Sequence, residues 1–479
     1  MSLNIVKKSK KTYEKLVILV EEGKTYEHST LLKESHEQFK LLSEQKKFTG
    51  KKGETLEFTY FNKRHMEEYL FIGLGKAEEI TPFSIKKTIY PHLKSLKGNI
   101  LLKSVNKSFM DYDILGDLIE HINYSFDKYQ TSNKKENEKK ILEVDVIDEK
   151  ISTNFIEGVE LGKITNIVKD LVNEPANFMT PEILSQNAEK LGKEYEFKVK
   201  VYNEKEIEKL NMTAFLAVSR ASTNKPKLIV MKYNGNPKSK KVLALVGKGL
   251  CYDSGGLSIK PTSSMISMHS DMAGAATVMG VMCAISKLKV KKNVVAIVAA
   301  CENSIGGNAY KPGDIIPTML GKTIEITNTD AEGRVTLADA LTYTIQKEKP
   351  TEIIDVATLT GAIIIALGDD ITGTFTNNYD NFQKLVIAGE KWGEKFWNMP
   401  MEEEFKEAIK SQVADLKNSA GRSGSSSTAA KFLEEFVEST PWMHLDIAGT
   451  SFAEGGNKYF KKGATGVTMK TLYEYIKNN

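Results

Sequence analysis

In the first third of the chain, short apolar runs alternate with stretches of helical spacing: KLVILVEE at 15–22, YLFIGLGK at 69–76, NILLKSV at 99–105 and ILGDLIEHI at 114–122. Apolar runs of this length read as strands, and the alternation predicts a small α/β domain over residues 1–150. The wholly polar TSNKKENEKK at 131–140 predicts a solvated hairpin loop, and the alternating ILEVDVID at 141–148 predicts a final strand. From Phe155 to Val172, apolar residues recur at helical spacing (Ile156, Val159, Leu161, Ile164, Ile167, Val168, Leu171). This predicts a bridging helix within a linker at 151–175, stopped by Asn173-Glu174-Pro175.

Over 176–479 the pattern changes. LIVMKY, KVLALVGK, NVVAIVAAC, EIIDVATL and MHLDIAG are nearly continuous apolar runs, separated by helical stretches such as AGAATVMGVMCAISKL. Strands apolar on both sides belong to a mostly parallel sheet with helices on both faces. Such sheets collect ligands at the carboxyl ends of their strands.

Length and charge narrow the choices. The 479 residues suit two or three domains better than one. A net charge of +4, from 66 basic and 62 acidic residues, argues against nucleic acid or an anionic membrane as the main partner. Only four residues are arginine (Arg64, Arg220, Arg334, Arg422), so an arginine within a motif stands out. Cys251, Cys283 and Cys301 form no disulfide framework, which fits a reducing compartment. The apolar stretch Leu16–Val20 is too short for a signal peptide or membrane span, so a cytoplasmic protein is expected. His269 and His444 are the only histidines of the larger domain, and no HExxH or GxSxG occurs. A histidine-rich zinc site and a serine hydrolase are therefore disfavoured. Leu320-Gly321-Lys322-Thr323 lacks the first glycine of a phosphate loop.

Three stretches carry the candidate chemistry. In VGKGLCYDSGGLSIK, Val246–Lys260, an apolar strand runs into Lys248, Asp253, paired glycines that permit close backbone approach to a ligand, and Lys260. A lysine there must be paired, open to solvent or deprotonated. In MHSDMAGAA, Met268–Ala276, Asp271 stands at the mouth of a small-residue helix, where alone it reads as a capping aspartate. In NTDAEGR, Asn328–Arg334, Asp330 and Glu332 would point the same way on an extended segment. The charges of Asp253, Asp271, Asp330 and Glu332 would balance two divalent cations, and a site without histidine favours Mn²⁺, Mg²⁺ or Zn²⁺. Two dications would allow Lys248 to ligate as a neutral amine, leaving Lys260 as a charged electrophile and Arg334 as an anion binder.

These stretches resemble the leucyl (cytosol) aminopeptidase family, peptidase family M17. NTDAEGR matches its signature in full, and VGKGLCYDSGGLSIKP and SDMAGAA match its two other metal-site blocks at the same spacing. The likeness runs from about Leu171 to about Thr471, through CENSIGGNAYKPGD, DVATLTGA, STAAKFL and HLDIAG, whereas the first 150 residues are similar in pattern only. The resemblance implies a smaller N-terminal, macro-like α/β domain before a larger, mostly parallel catalytic domain. It implies two divalent ions per subunit, Mn²⁺ or Zn²⁺ with Mg²⁺ a further candidate. Lys248, Asp253, Asp271 and Glu332 would hold the tight one, and Asp253, Asp330 and Glu332 the exchangeable one. A hydroxide between the metals would attack the peptide carbonyl, Lys260 would polarise it, and a bicarbonate at Arg334 would relay the proton. Met268, Asn328, Thr358, Leu359, Thr360 and Gly361 would bind the substrate, an N-terminal residue of leucine-like character with broad tolerance. The departures are Ala273 for the usual glycine, Val335-Thr336 for Leu-Val, and Ser426 where cysteine is frequent; none removes a ligand.

The resemblance also implies a homohexamer of two stacked trimers acting on peptides. Two other readings compete: a DNA-binding role, against which the small net charge and scarcity of arginine weigh, and another dinuclear hydrolase such as a phosphoesterase.

Overall fold

In the structure, a computed structural model that describes residues 3–6, 13–24, 33–62, 65–104, 111–131, 141–147, 155–455 and 462–479, the apolar runs of the first third lie side by side. The strands are β1 (Leu3–Val6), β2 (Lys15–Glu21), β3 (Thr55–Asn62), β4 (His65–Gly75), β5 (Gly98–Ser104) and β6 (Leu142–Ile147). They form one sheet in the order β1-β6-β5-β2-β4-β3. Every pair is parallel except β3–β4, an antiparallel edge that the apolar runs do not announce. ILGDLIEHI becomes part of the helix Tyr112–Asn123, with Asp111 as its cap. Residues 132–140 of the expected polar loop lie outside the described residues. The chain divides into compact units Met1–Asn166 and Ile167–Asn479, and the division falls inside the predicted bridging helix, Phe155–Asn173.

The second unit holds an eight-stranded sheet built from β7 (Lys198–Tyr202), β8 (Lys227–Asn234), β9 (Leu243–Asp253), β10 (Asn293–Asn303), β13 (Glu352–Ala357), β14 (Ile371–Thr376), β15 (Lys395–Asn398) and β17 (Trp442–Asp446), in the order β15-β14-β17-β13-β9-β10-β8-β7. Its centre, β17-β13-β9-β10, is parallel, and antiparallel pairs appear toward both edges. Strand alternation explains the layers. Val246 and Leu250 join a core with Val335, Leu337 and Leu341 of the helix Glu332–Tyr343. Gly247, facing the other way, meets Gly274 and Ala275 of the helix Ala273–Lys287. The sheet is thus covered on both faces, and its four central strands end along one edge. A small second sheet, β11 (Ile315–Pro317), β12 (Thr323–Glu325) and β16 (Leu416–Lys417), carries the chain toward that edge.

Candidate functional site

The site is assembled from chain ends. Asp253 is the last residue of β9, and Lys248 lies five residues before it, both buried. Asp271 belongs to a short 3-10 turn, Met268–Met272. Beyond β12, Asn328 Oδ1 accepts from Asp330 N at 2.9 Å, and this turn delivers the chain to Glu332, the first residue of the helix Glu332–Tyr343. β13 continues into Thr358-Leu359-Thr360, and Thr360 caps the helix Gly361–Leu367.

Oxygens of Asp253, Asp330 and Glu332 lie within 4.8 Å of one another. Asp271 joins them through Lys248, whose Nζ is 2.8 Å from Asp271 Oδ2 and 3.0 Å from Glu332 Oε1. The same Nζ donates to the Thr358 carbonyl at 2.8 Å, while Thr358 Oγ1 donates to Asp271 Oδ1 at 2.6 Å. Lys260 Nζ lies 2.8 Å from Asp253 Oδ2 and 2.6 Å from Asp330 Oδ1. Its side chain is 16% exposed, against 3% for Lys248, so Lys260 stands at the rim.

Burial opposes charge on both lysines, yet the surrounding carboxylates outweigh it and raise both pKa values. Burial, joined by the Asp253 charge, raises Asp271, Asp330 and Glu332 even though the lysines pull the other way. Burial lowers Arg334 to about 10.

The donor set fits divalent cations. Among the described residues Glu332 Oε2 is buried without a hydrogen-bond partner, and Asp271 Oδ2 and Asp330 Oδ1 face ammonium groups without well-directed hydrogen bonds. Carboxylate oxygens with one amine suit hard or borderline divalent metals. Arg334 Nη1 donates to the Asn418 carbonyl at 2.9 Å, but its buried Nε has no partner among the described residues, which leaves a donor for a planar anion.

Three expectations about local geometry are corrected. Asp271 does not cap the small-residue helix: the residue before that helix is Met272, which makes no side-chain cap. Asp330 and Glu332 converge, but through a turn into a helix rather than along an extended segment. Gly255 and Gly256, at φ +83° and +63°, are needed for the turn after β9, yet the protein's own groups fill the space beside them. A β-carbon on Gly255 would lie 2.5 Å from Ser258 O, and one on Gly256 2.9 Å from Asn303 Oδ1.

Of the expected substrate contacts, Thr358 reaches the cluster directly. Leu359 N and Thr360 Oγ1 donate instead to Asp446, at 3.0 and 2.6 Å. Asn328 lies in the Asp330 turn, Met268 opens the Asp271 turn half-buried, and Gly361 has open space where a side chain would stand. Sequence reasoning assigned no role to Asp446, Asn303 or Asn418. Asn303 Nδ2 donates to Asp253 Oδ1 at 2.8 Å and to the Thr329 carbonyl at 3.0 Å. The ends of β10 and β17, adjacent to β9 and β13, were the available signal for Asn303 and Asp446; Asn418 lies in no apolar run.

Comparison with known proteins shows the family. The cytosol aminopeptidase family catalytic domain matches residues 166–473, and the family's N-terminal domain matches 17–133, where the sequence showed likeness of pattern only. A probable cytosol aminopeptidase of Fusobacterium nucleatum is 50% identical over 480 residues, covering 100% of both chains. One of Clostridium tetani is 45% identical, covering 94% of this chain and 96% of its own. Among solved structures, the bottromycin maturation enzyme BotP in complex with Mn superposes with a TM-score of 0.85 at 27% identity, covering 97% of this chain and 99% of that one. Likeness that spans both domains and reaches half of all positions leaves no stretch to a different architecture: the chain belongs to the cytosol aminopeptidase family.

Proposed function

We propose that in this metal-dependent aminopeptidase Asp253, Asp330 and Glu332, with Asp271 and Lys248 beside them, hold two divalent cations, Mn²⁺ or Zn²⁺ with Mg²⁺ as a further candidate. The observation that carries the assignment is the convergence of three carboxylates within 4.8 Å beside the unpartnered, buried Glu332 Oε2. When bound, the cations supply Lewis acidity toward the scissile carbonyl and a water of lowered pKa. Without the cations its carboxylate neighbours keep Lys248 charged; with both cations bound, their charge would let it serve as a neutral amine ligand. Lys260, at the rim, donates to the carbonyl oxygen as negative charge develops there. Arg334 would hold bicarbonate through its unpartnered Nε, and that anion would supply a proton acceptor beside the site.

Asp330, with a side chain 33% exposed against 2% for Asp253, marks the side from which the substrate's free amino group enters. Met268, Asn328, Thr358, Leu359, Thr360 and Gly361 bind the N-terminal residue and the adjoining backbone, and an apolar pocket accepts leucine-like side chains broadly. The working division is an N-terminal domain over 1–150, a bridge over 151–175 and a catalytic domain over 176–479. The assembly is a cytoplasmic homohexamer of two stacked trimers; among the described residues no helix is long and apolar enough to cross a membrane. The DNA-binding and phosphoesterase readings gain no support from the family match.

The test is hydrolysis of a leucyl anilide by chelator-treated protein before and after Mn²⁺, Zn²⁺ or Mg²⁺, with Glu332→Ala in parallel. Metal should restore the parent and not the variant. Folded, metal-loaded parent without activity on any aminoacyl amide would overturn the reading.

A further inference from the structure

β16 pairs in parallel with β12, Ile324 against Leu416 and Glu325 against Lys417, and Asn418 N donates to Glu325 O at 3.0 Å. The same segment is tied at two more points. Asp415 Oδ2 accepts from Thr323 N and Oγ1 at 2.8 and 2.9 Å, and Ser411 Oγ donates to Glu325 Oε2 at 2.6 Å. This register brings the fully buried Asn418 to the turn that follows β12. There its Oδ1 accepts from Thr327 N at 2.8 Å, Thr327 Oγ1 at 3.2 Å and Asn328 N at 3.3 Å. Its Nδ2 donates to Asn328 O at 2.6 Å and to Ala331 O at 3.4 Å. Its own carbonyl accepts from Arg334 Nη1 at 2.9 Å.

We propose that Asn418 is a positioning residue that fixes the Asn328–Ala331 turn, and with it the Asp330 carboxylate, against Asp253 and Glu332. The proposal rests on the assignment of those carboxylates to cation binding. Only an amide can serve here: a carboxylate would accept from the Thr327 and Asn328 amides but would set a negative charge against the Asn328 and Ala331 carbonyls. An apolar side chain would remove the acceptor shared by the Thr327 and Asn328 amides and the donor to Ala331 O, leaving Asn328 O only the Ala331 amide. All of these side-chain bonds go to the turn, so their loss should loosen the turn while the sheet and the wholly buried helix Glu332–Tyr343 stay packed.

The test uses full-length Asn418→Ala, with Asn418→Asp, which keeps the volume, covering the case in which alanine does not fold. In metal-free protein, the amides of Thr327 and Asn328 should exchange hydrogen at least about tenfold faster than in the parent, with β9 and β10 unchanged. Calorimetric titration with Mn²⁺ should show the tighter equivalent retained and the weaker one reduced at least about tenfold. Parent-like exchange at Thr327 and Asn328, or two parent-like Mn²⁺ affinities, would overturn the proposal. Equal weakening of both equivalents, or faster exchange spread across the sheet, would also overturn it, since that is what general loosening predicts. A parent that binds no Mn²⁺ would instead refute the cation assignment, and the exchange rates alone would still decide whether Asn418 fixes the turn.

Discussion

Gly333 lies between Glu332 and Arg334, and a β-carbon built on it falls 2.6 Å from Lys248 Cε and 2.8 Å from Lys248 Nζ. Helix propensity favours alanine over glycine by about 1 kcal/mol, so local reasoning expects Gly333→Ala to stabilise the protein. Packing opposes that. Non-bonded carbons rest about 3.5–4 Å apart, so the lysine tip has to withdraw by about 1 Å. It has nowhere to swing, because Nζ is buried within 2.8 Å of Asp271 Oδ2 and the Thr358 carbonyl and 3.0 Å of Glu332 Oε1. In the metal-free protein, where Lys248 is charged, moving unit charges from about 2.9 to about 3.9 Å at an effective dielectric of about 20 weakens each attraction by about 1.5 kcal/mol, or about 3 kcal/mol for two carboxylates. A displacement of about 1 Å in a reacting site costs on the order of 100-fold in rate. We therefore expect Gly333→Ala to lower kcat for a leucyl anilide about 100-fold at saturating Mn²⁺, to retain less Mn²⁺ after gel filtration, and to lose only a few degrees of Tm. Parent-like kcat together with a raised Tm would refute the reasoning, because it would mean that Lys248 yields freely.

Gly274→Ala tests the opposite case: its β-carbon would lie 2.0 Å from the Val356 carbonyl oxygen, a backbone atom that cannot rotate away. Overpacking of this kind costs about 3 kcal/mol or more, read as a fall in Tm, and an unchanged Tm would contradict the close packing of that helix on β13. Asp446→Ala should raise KM several-fold and cost about 2–4 kcal/mol, because it orphans the half-buried amide of Leu359 and the buried amide and hydroxyl of Thr360; Asp446→Asn keeps an acceptor and should recover most of both. Equal kinetics for the two variants would remove Asp446 from substrate positioning. Burial raises the Asp339 carboxyl to about 7, although Phe215 N and Met319 N donate to it. The unfolded carboxyl ionises near pH 4, so Asp339 contributes stability that is complete below about pH 4 and is lost as pH rises through about 7, at up to about 1.4 kcal/mol per unit. In Asp339→Asn that part of the slope should vanish from denaturant midpoints measured between pH 4 and 8; superimposable profiles would show that the carboxyl is ionised in the fold.

Local pattern carried much of the architecture. KVLALVGK, NVVAIVAAC and EIIDVATL became β9, β10 and β13, because a strand covered on both faces must be apolar at every position, and that property is written in consecutive residues. Lys248, Asp253 and Glu332 were legible for the converse reason: charges near the ends of such runs have to be compensated where they are buried, and Asp330 was legible by its place two residues before Glu332. The two-residue spacing of Asp330 and Glu332 suggested convergence, but the tertiary fold achieved it with an Asx turn and a helix start, which have no period to read. Asp271 in isolation read as a cap and became a candidate ligand only beside the other two stretches; in the structure it pairs with Lys248 and caps nothing.

What the sequence by itself determined were the strand runs, the two-domain order and the identity of the charged groups. Tertiary structure alone decided which groups hold them in place: Asn303 on Asp253, Asn418 on the Asp330 turn, and Asp446 on the Thr358–Gly361 segment. These contacts join residues 50, 91 and 87 positions apart, and a polar side chain reveals such a partner only when sheet register brings the two together. Periodicity records burial, which each residue expresses locally; a hydrogen bond depends on two distant residues at once, and only the folded chain contains that information.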